Sequence, residues 1–235
     1  MSTSLRRLIL STYRHIGFDH FTAKSSLNHP FICHLGDSNG EMPFYNREMA
    51  QVELVLMAAW CEQFENPFVL DVGGNVGFIA TQLAQLLIHK KPRIFSFEPV
   101  PHTLSLLAKA VSGLRLEECV FPVGCGIGEA PGFAQLSYSE WDTMFAQISA
   151  KGRLNDRVGD KLCWGPVLTI DQITEALGEA PCLIKLDIEG YEVKALKGAT
   201  KVLSGHNPPA IAVELNPTTL SELDSSVDEL LALFH

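Results

Sequence analysis

The sequence predicts an α/β fold built on a doubly wound, mostly parallel sheet, and three observations carry that expectation. A short unbroken apolar run, Phe68 to Leu70, follows Pro67 and suits a central strand covered on both faces. It passes through Asp71 into a glycine-rich loop, Gly73, Gly74, Asn75 and Gly77, and then into a Leu/Ala-rich helical segment. The same alternation of strand, turn and helix recurs with short connections down to the C-terminal end, which places a ligand at the carboxyl ends of the strands.

Residues 1–43 show no sustained period, and Gly36 to Gly40 is a turn cluster. Asn46 to Phe64 reads as a helix with Met49, Val52, Val55, Leu56, Ala59 and Trp60 on one face, stopped by Asn66 and Pro67. Residues 1–66 are therefore expected as an N-terminal helical segment or cap, able to lie over the cofactor mouth or to cover the sheet, and 67–235 as the main domain. Ile79 to Leu87 is the helix after the loop, with Lys90 and Lys91 at its C-terminal end. Arg93 to Phe97 is the second strand, ending in Glu98. Leu104, Leu107, Ala108 and Val111 mark the next helix, and Cys119 to Val123 the third strand.

Phe133 to Tyr138 reads as a short strand. Ser139 to Gly165, with Trp141, Asp142, Lys151, Arg153 and Trp164, reads as a long loop and is expected to be a substrate-side lid. Thr169 and Gln172 have capping-box spacing ahead of a helix from Ile170 to Leu177, which makes Asp171 structural. Cys182 to Leu186 is the fourth strand, Val193 to Leu203 a helix, Ala210 to Val213 the fifth strand, and Ser221 to Phe234 a last amphipathic helix.

The loop is not a dinucleotide fingerprint. Counted from Gly73, the first, third and sixth positions hold Gly73, Asn75 and Phe78, so the pyrophosphate pattern fails at two of three. An acid at the strand end, Asp71, disfavours a polyphosphate and suits a cationic ligand such as S-adenosylmethionine. Glu98, twenty-one residues past Gly77, ends the neighbouring strand where an acid reaches ribose hydroxyls.

The formal net charge of -9 argues against a nucleic-acid binder or an anionic-membrane binder. Leu8 to Leu10 is too short for a signal-peptide core and no stretch approaches a membrane span, so a cytoplasmic protein is expected. Six scattered cysteines without a C-x-x-C pair are expected to be reduced, with no structural zinc.

Four ordered motifs carry a resemblance. They are Asp71 to Gly77; Phe97 to Pro101; Leu168 to Asp171; and Ile184 to Glu192, continuing through Leu196 to Ala199. Together, from about Tyr45 to Asn216, they resemble the FkbM family of S-adenosylmethionine-dependent methyltransferases. The resemblance implies the Rossmann-like class I methyltransferase fold and O-methylation of a hydroxyl on a sugar, glycolipid or other natural product. It also implies that Asp71, Gly73, Gly74, Asn75 and Gly77 surround the methionine part of the cofactor and that Glu98 binds the ribose. Gly74 stands where the family usually has alanine.

Transfer to a hydroxyl needs a proton acceptor near the strand ends or a metal that acidifies the hydroxyl. Asp187 is the first candidate, with Glu189 and Glu214 behind it; helix capping is the competing role for Glu189. Lys185 could bond these carboxylates. Magnesium held by Asp187, Glu189, Glu214 and Asn216 is conceivable, but spacing gives it no support, and no metal ligand is assigned. A non-catalytic binding protein on the same fold is the main alternative, and a nicotinamide-dependent oxidoreductase a weaker one. Class I sheets usually carry two more strands after the fifth, so this sheet is expected to stop two strands short. The fifth-strand edge would then be shielded by the last helix, by the N-terminal segment, or by pairing in a homodimer.

Overall fold

The computed structural model describes residues 3–46, 48–138, 147–148 and 161–234. At its centre lies β3 (Phe68–Val72), every residue of which is buried. Its parallel neighbours are β4 (Arg93–Phe97) and β10 (Leu183–Leu186), flanked by β5 (Val120–Val123) and β11 (Ala210–Val213). The strand order β11-β10-β3-β4-β5 reverses direction beside β3, so the crevice opens at the carboxyl ends of β3, β4 and β10. This is the sheet of a class I methyltransferase fold.

Helices cover both faces, with one apolar cluster on each. Val69, Ile94 and Leu183 pack on one side with α4 (Phe78–Leu86) and α5 (Pro101–Gly113). Leu70, Phe97, Ile184 and Leu186 pack on the other with α6 (Ile170–Leu177), α7 (Glu192–Lys197) and α8 (Thr200–Leu203). The capping box at Thr169 forms as the spacing requires, Thr169 Oγ1 accepting from Gln172 N at 3.1 Å. Asp171 is structural as expected. Its carboxylate accepts from Lys201 N at 2.9 Å and Val202 N at 3.0 Å, fastening α8 to α6.

The N-terminal residues contain α1 (Thr3–His15), a hairpin of β1 (His20–Lys24) and β2 (Pro30–His34), α2 (Ser38–Tyr45) and α3 (Gln51–Cys61). Leu10, Phe31, Cys33, Leu54, Met57 and Cys61 join the same cluster as Val69 and Leu83. Buried Gln82 of α4 fixes the hairpin, donating to Pro30 O at 2.8 Å and accepting from Ser25 Oγ at 2.6 Å.

Helix α3 turns a different face inward from the one expected. Leu54, Met57 and Cys61 are buried, whereas Val52 is 72% exposed and Leu56 65%. The segment is apolar nearly all round, so two faces satisfy the same period and the register cannot be read from it. Residues 48–50 are turn, not helix. Two further helices are divided. Val193 to Leu203 becomes α7 and α8, and Ser221 to Phe234 becomes α9 (Pro217–Glu222) and α10 (Val227–Ala232), parted near Asp224, whose φ is +57°.

A second sheet, β6-β9-β7-β8, stands beside the main one. In it β9 (Lys161–Leu168) pairs antiparallel with β7 (Gly132–Tyr138), while β6 (Gly126–Ile127) and β8 (Gln147–Ile148) are short. The expected long loop is thus strand from Lys161 onward, with Trp164 66% exposed. Trp141, Asp142, Lys151 and Arg153 lie outside the described residues. Among those described, no strand follows β11, which is half-buried along its length and forms the sheet edge, and no helix is long and apolar enough to cross a membrane.

Candidate active site

At the carboxyl ends of β3, β4 and β10 lies a cavity of about 280 Å³, walled by the glycine loop, Glu98, Lys185, the 187–191 turn and Glu214, with Ile127 and Leu136 of the second sheet opposite. Asn39 of α2 and Met49 also reach it, so the N-terminal segment does border the cavity, through residues before α3.

The loop's backbone donors are already used. Gly73 N and Gly74 N both donate to Phe97 O, at 3.1 and 2.9 Å, and Asn75 N to Glu98 Oε2 at 3.1 Å. Val76 N donates to Asn75 Oδ1 at 2.7 Å and Gly77 N to Gly74 O at 2.9 Å. A pyrophosphate needs such groups directed at it, and these five are already engaged by the protein's own acceptors. The glycines answer to the protein's own crowding as well. A Cβ on Gly73 would lie 1.9 Å from Asp187 O, and one on Gly74 2.1 Å from Ser96 Oγ. Gly73, Gly74 and Asn75 line the cavity, while Gly77 sits behind it against Leu107 at the start of α4.

Asp71 is likewise set behind the cavity, 2% exposed. The β3–β4 register places Ser96 beside it, and Ser96 Oγ donates to Asp71 Oδ2 at 2.6 Å. Its other oxygen, Oδ1, has the Lys185 ammonium at 3.3 Å. Ser96 also explains the glycine at position 74, because a methyl group there would strike the hydroxyl that holds Asp71. Lys185, opposite Asp71 in the β3–β10 register, donates to Gly73 O at 2.9 Å and reaches Asp187 Oδ2 at 3.4 Å. Burial alone would lower the Lys185 pKa, but the two carboxylates more than offset it and the net direction is upward.

Glu98 does face the cavity, 5% exposed. Its Oε1 accepts from Val100 N at 2.9 Å and its Oε2 from Asn75 N. Burial pushes its pKa up to about 7, against the pull of those two amides. An acceptor-rich group so held, with lone pairs to spare, suits a hydroxyl-bearing ligand.

Across from it the carboxylates of Asp187, Glu189 and Glu214 present oxygens within 4.8 Å of one another. Asp187 follows β10, its backbone N donating to Val72 O at 3.1 Å, and its side chain is 46% exposed. Glu189 is held in the left-handed region, φ +52°. The turn carrying both is set from behind by Glu192, 2% exposed, whose Oε1 accepts from Ile188 N at 3.0 Å and Gly190 N at 3.2 Å. Burial, and then the neighbouring Asp187, raises the pKa of Glu214. Asn216 drops out as an oxygen donor for magnesium, since its Oδ1 caps α9 through Thr218 N and Thr219 N.

The family model described as the methyltransferase FkbM domain matches residues 71–235, from the end of β3 through the last helix. The chain belongs to that family. The FkbM match takes in the glycine loop, Glu98 and the three clustered acids together. A curated relative, the hexuronic acid methyltransferase AglP of Haloferax volcanii, is 27% identical over 149 residues, 62% of this chain and 55% of the relative. The chain thus spans about half the length of that protein. Among solved structures, an FkbM methyltransferase from Methylobacillus flagellatus KT is 24% identical with a TM-score of 0.48, over 72% of this chain and 38% of the other. A SAM-dependent methyltransferase from Agrobacterium tumefaciens is 12% identical with a TM-score of 0.38, over 72% and 39%.

Sequence reasoning missed Asn39, Met49, Tyr191 and Leu136 as cavity residues. Only Tyr191, inside the quoted Ile184 to Glu192 motif, left a signal; the others arrive through tertiary packing.

Proposed function

We propose that this chain is an S-adenosylmethionine-dependent methyltransferase acting on an oxygen nucleophile, with a sugar or similar polyhydroxylated compound as acceptor. The observation that carries the reading is the opposition of Glu98 to the Asp187, Glu189 and Glu214 cluster across one cavity beside a glycine loop with no spare amides. That donor set suits a ligand with a ribose diol at one end and positive charge at the other, and it disfavours a polyphosphate. Membership of the FkbM family supports the same class, and the hexuronic acid substrate in the name of AglP supports a sugar.

On this reading Glu98 holds the ribose hydroxyls, Gly73, Gly74 and Asn75 shape the bed of the methionine portion, and Asp71 supports that bed from behind. The cofactor supplies an electrophilic methyl group for in-line displacement. The chain supplies position: donor and acceptor are held at contact distance, which contributes more than any single functional group. As the acceptor oxygen attacks, its proton needs a base, and Asp187 takes that role at the exposed side of the cavity. Glu189 and Glu214 keep the surroundings negative, which suits the positive charge of the cofactor's sulfonium.

The test is calorimetric titration with S-adenosylhomocysteine and with NAD, followed by a mass-spectrometric screen of glycosides and uronic acids for a gain of one methyl group. Binding of S-adenosylhomocysteine with methylation of a glycan hydroxyl supports the proposal. Binding without methylation of any acceptor favours the non-catalytic alternative, and preference for NAD overturns the assignment.

A further inference from the structure

The cavity has the glycine loop and Glu98 for a cofactor on one side and carboxylates for an acceptor on the other, and one side chain touches both. Lys185 lines the cavity, its Nζ donating to Gly73 O at 2.9 Å and standing 3.3 Å from Asp71 Oδ1 and 3.4 Å from Asp187 Oδ2. Its side chain is 11% exposed, against 46% for that of Asp187, so the ammonium is held from inside the protein while one of its partners looks outward. Parallel register explains the placement. Lys185 pairs with Asp71 across β10 and β3, so a side chain from β10 can reach the loop that leaves β3 and the turn that leaves its own strand.

We infer that Lys185 is a positioning residue that sets the cofactor loop and the acceptor carboxylate in one arrangement. The inference rests on the methyltransferase reading and goes beyond it. Three oxygens converge on one ammonium: a backbone carbonyl fixing the loop, a buried carboxylate fixing the lysine, and the carboxylate that takes the acceptor proton. Bonded to Gly73 O, Lys185 prevents the loop from lifting at its first glycine. Beside Asp187 Oδ2, it orients the carboxylate that also meets Glu214, and so fixes the acid proposed to take the acceptor proton. A carbonyl alone would need only a hydrogen-bond donor, and Asp71 alone only a counter-ion; the span across all three needs a long cationic side chain at this register.

Lys185→Met would leave Asp71 as a buried unpaired charge, so the variants are built on Asp71→Asn, which keeps a partner for Ser96. Calorimetry with S-adenosylhomocysteine on Asp71→Asn and on Asp71→Asn/Lys185→Met is expected to show about tenfold weaker binding in the second. Arg at 185 should restore most of it. Turnover is then read with the acceptor found in the glycan screen, each variant with and without Asp187→Asn. Because Lys185 acts on chemistry through Asp187, its loss should cut kcat with Asp187 present and cut it little further once Asp187 is Asn. General loosening of the fold would lower kcat equally in both backgrounds. Equal losses, or unchanged S-adenosylhomocysteine affinity, overturn the inference. If the Asp71→Asn parent and the unaltered chain both fail to bind S-adenosylhomocysteine, the methyltransferase reading itself falls. Amide exchange at residues 73–77 then decides the positioning claim: faster exchange with Met at 185 supports the tether, and unchanged exchange refutes it.

Discussion

The loop side of the cavity and the acid side both carry charge but treat it in opposite ways. On the loop side Asp71 is buried, bonded by Ser96 and faced by Lys185, and five successive loop amides have internal partners. On the acid side Asp187, Glu189 and Glu214 crowd one another at half-exposed or exposed positions, with Lys185 facing only the first of them at salt-bridge distance. A buried, internally bonded loop makes a rigid bed, and acids crowded together at the surface make a place where a proton or a positive charge is welcome. The difference teaches that the most recognisable residues of the chain, the glycine loop and Asp71, are mainly the frame. The proposed chemistry falls to less conspicuous acids that follow the next two strands, β10 and β11.

If that division is right, damage to the frame should cost folding and damage to the acid side should cost turnover. The largest effect is expected from Gly73→Ala. Its Cβ would meet a backbone oxygen at 1.9 Å with φ at +85°, so relief requires moving the main chain of β3 or β10. A loss of about 4 kcal/mol or more in chemical denaturation is expected, and near-native stability would break the comparison.

Asp187→Asn should do the reverse. Turnover is expected to fall on the order of a hundredfold, while the unfolding free energy stays within about 0.5 kcal/mol of the parent because the side chain is half exposed. A comparable loss of S-adenosylhomocysteine affinity would move Asp187 into the cofactor shell.

Glu98 sharpens the contrast, because it belongs to the frame by burial and to the site by function. Its pKa is raised from 4.5 to about 7 in the folded state. The proton it holds therefore stabilises the fold fully below about pH 4.5, and that contribution is lost as the pH rises through 7. Glu98→Gln removes the titration, so stability relative to the parent should improve by about 2–3 kcal/mol between pH 5 and pH 8. Urea denaturation at the two pH values reads this directly, and a pH-independent difference would show that Glu98 is not strained. The smallest effect is expected far from the cavity: Thr169→Ala, losing a cap bond of 3.1 Å, should cost about 1 kcal/mol and leave turnover alone.

Much of the frame was legible because it depends on local pattern. Buried strands read as apolar runs, Thr169 and Gln172 read as a cap, and Glu98 could be placed by counting from the loop. What was not legible depends on register. That Asp71 meets Ser96 and Lys185 follows from how β3 aligns with β4 and β10, which no single stretch encodes. The inward face of α3 was misread because two apolar faces competed, and the division of the last two helical segments turned on single residues such as Asp224. The nearness of Glu214 to Asp187 is a product of the β10–β11 pairing, where Leu186 lies beside Val213. Sequence order placed Glu214, with Glu189, behind Asp187.

The central claim, that this cavity holds an S-adenosyl cofactor by its ribose, is tested most directly by calorimetry of S-adenosylhomocysteine with the unaltered chain and with Glu98→Ala. The account predicts binding in the first and a loss of at least about tenfold in the second, on the order of 1.4 kcal/mol or more. Equal affinity in the two, or no binding to the unaltered chain at all, would contradict it.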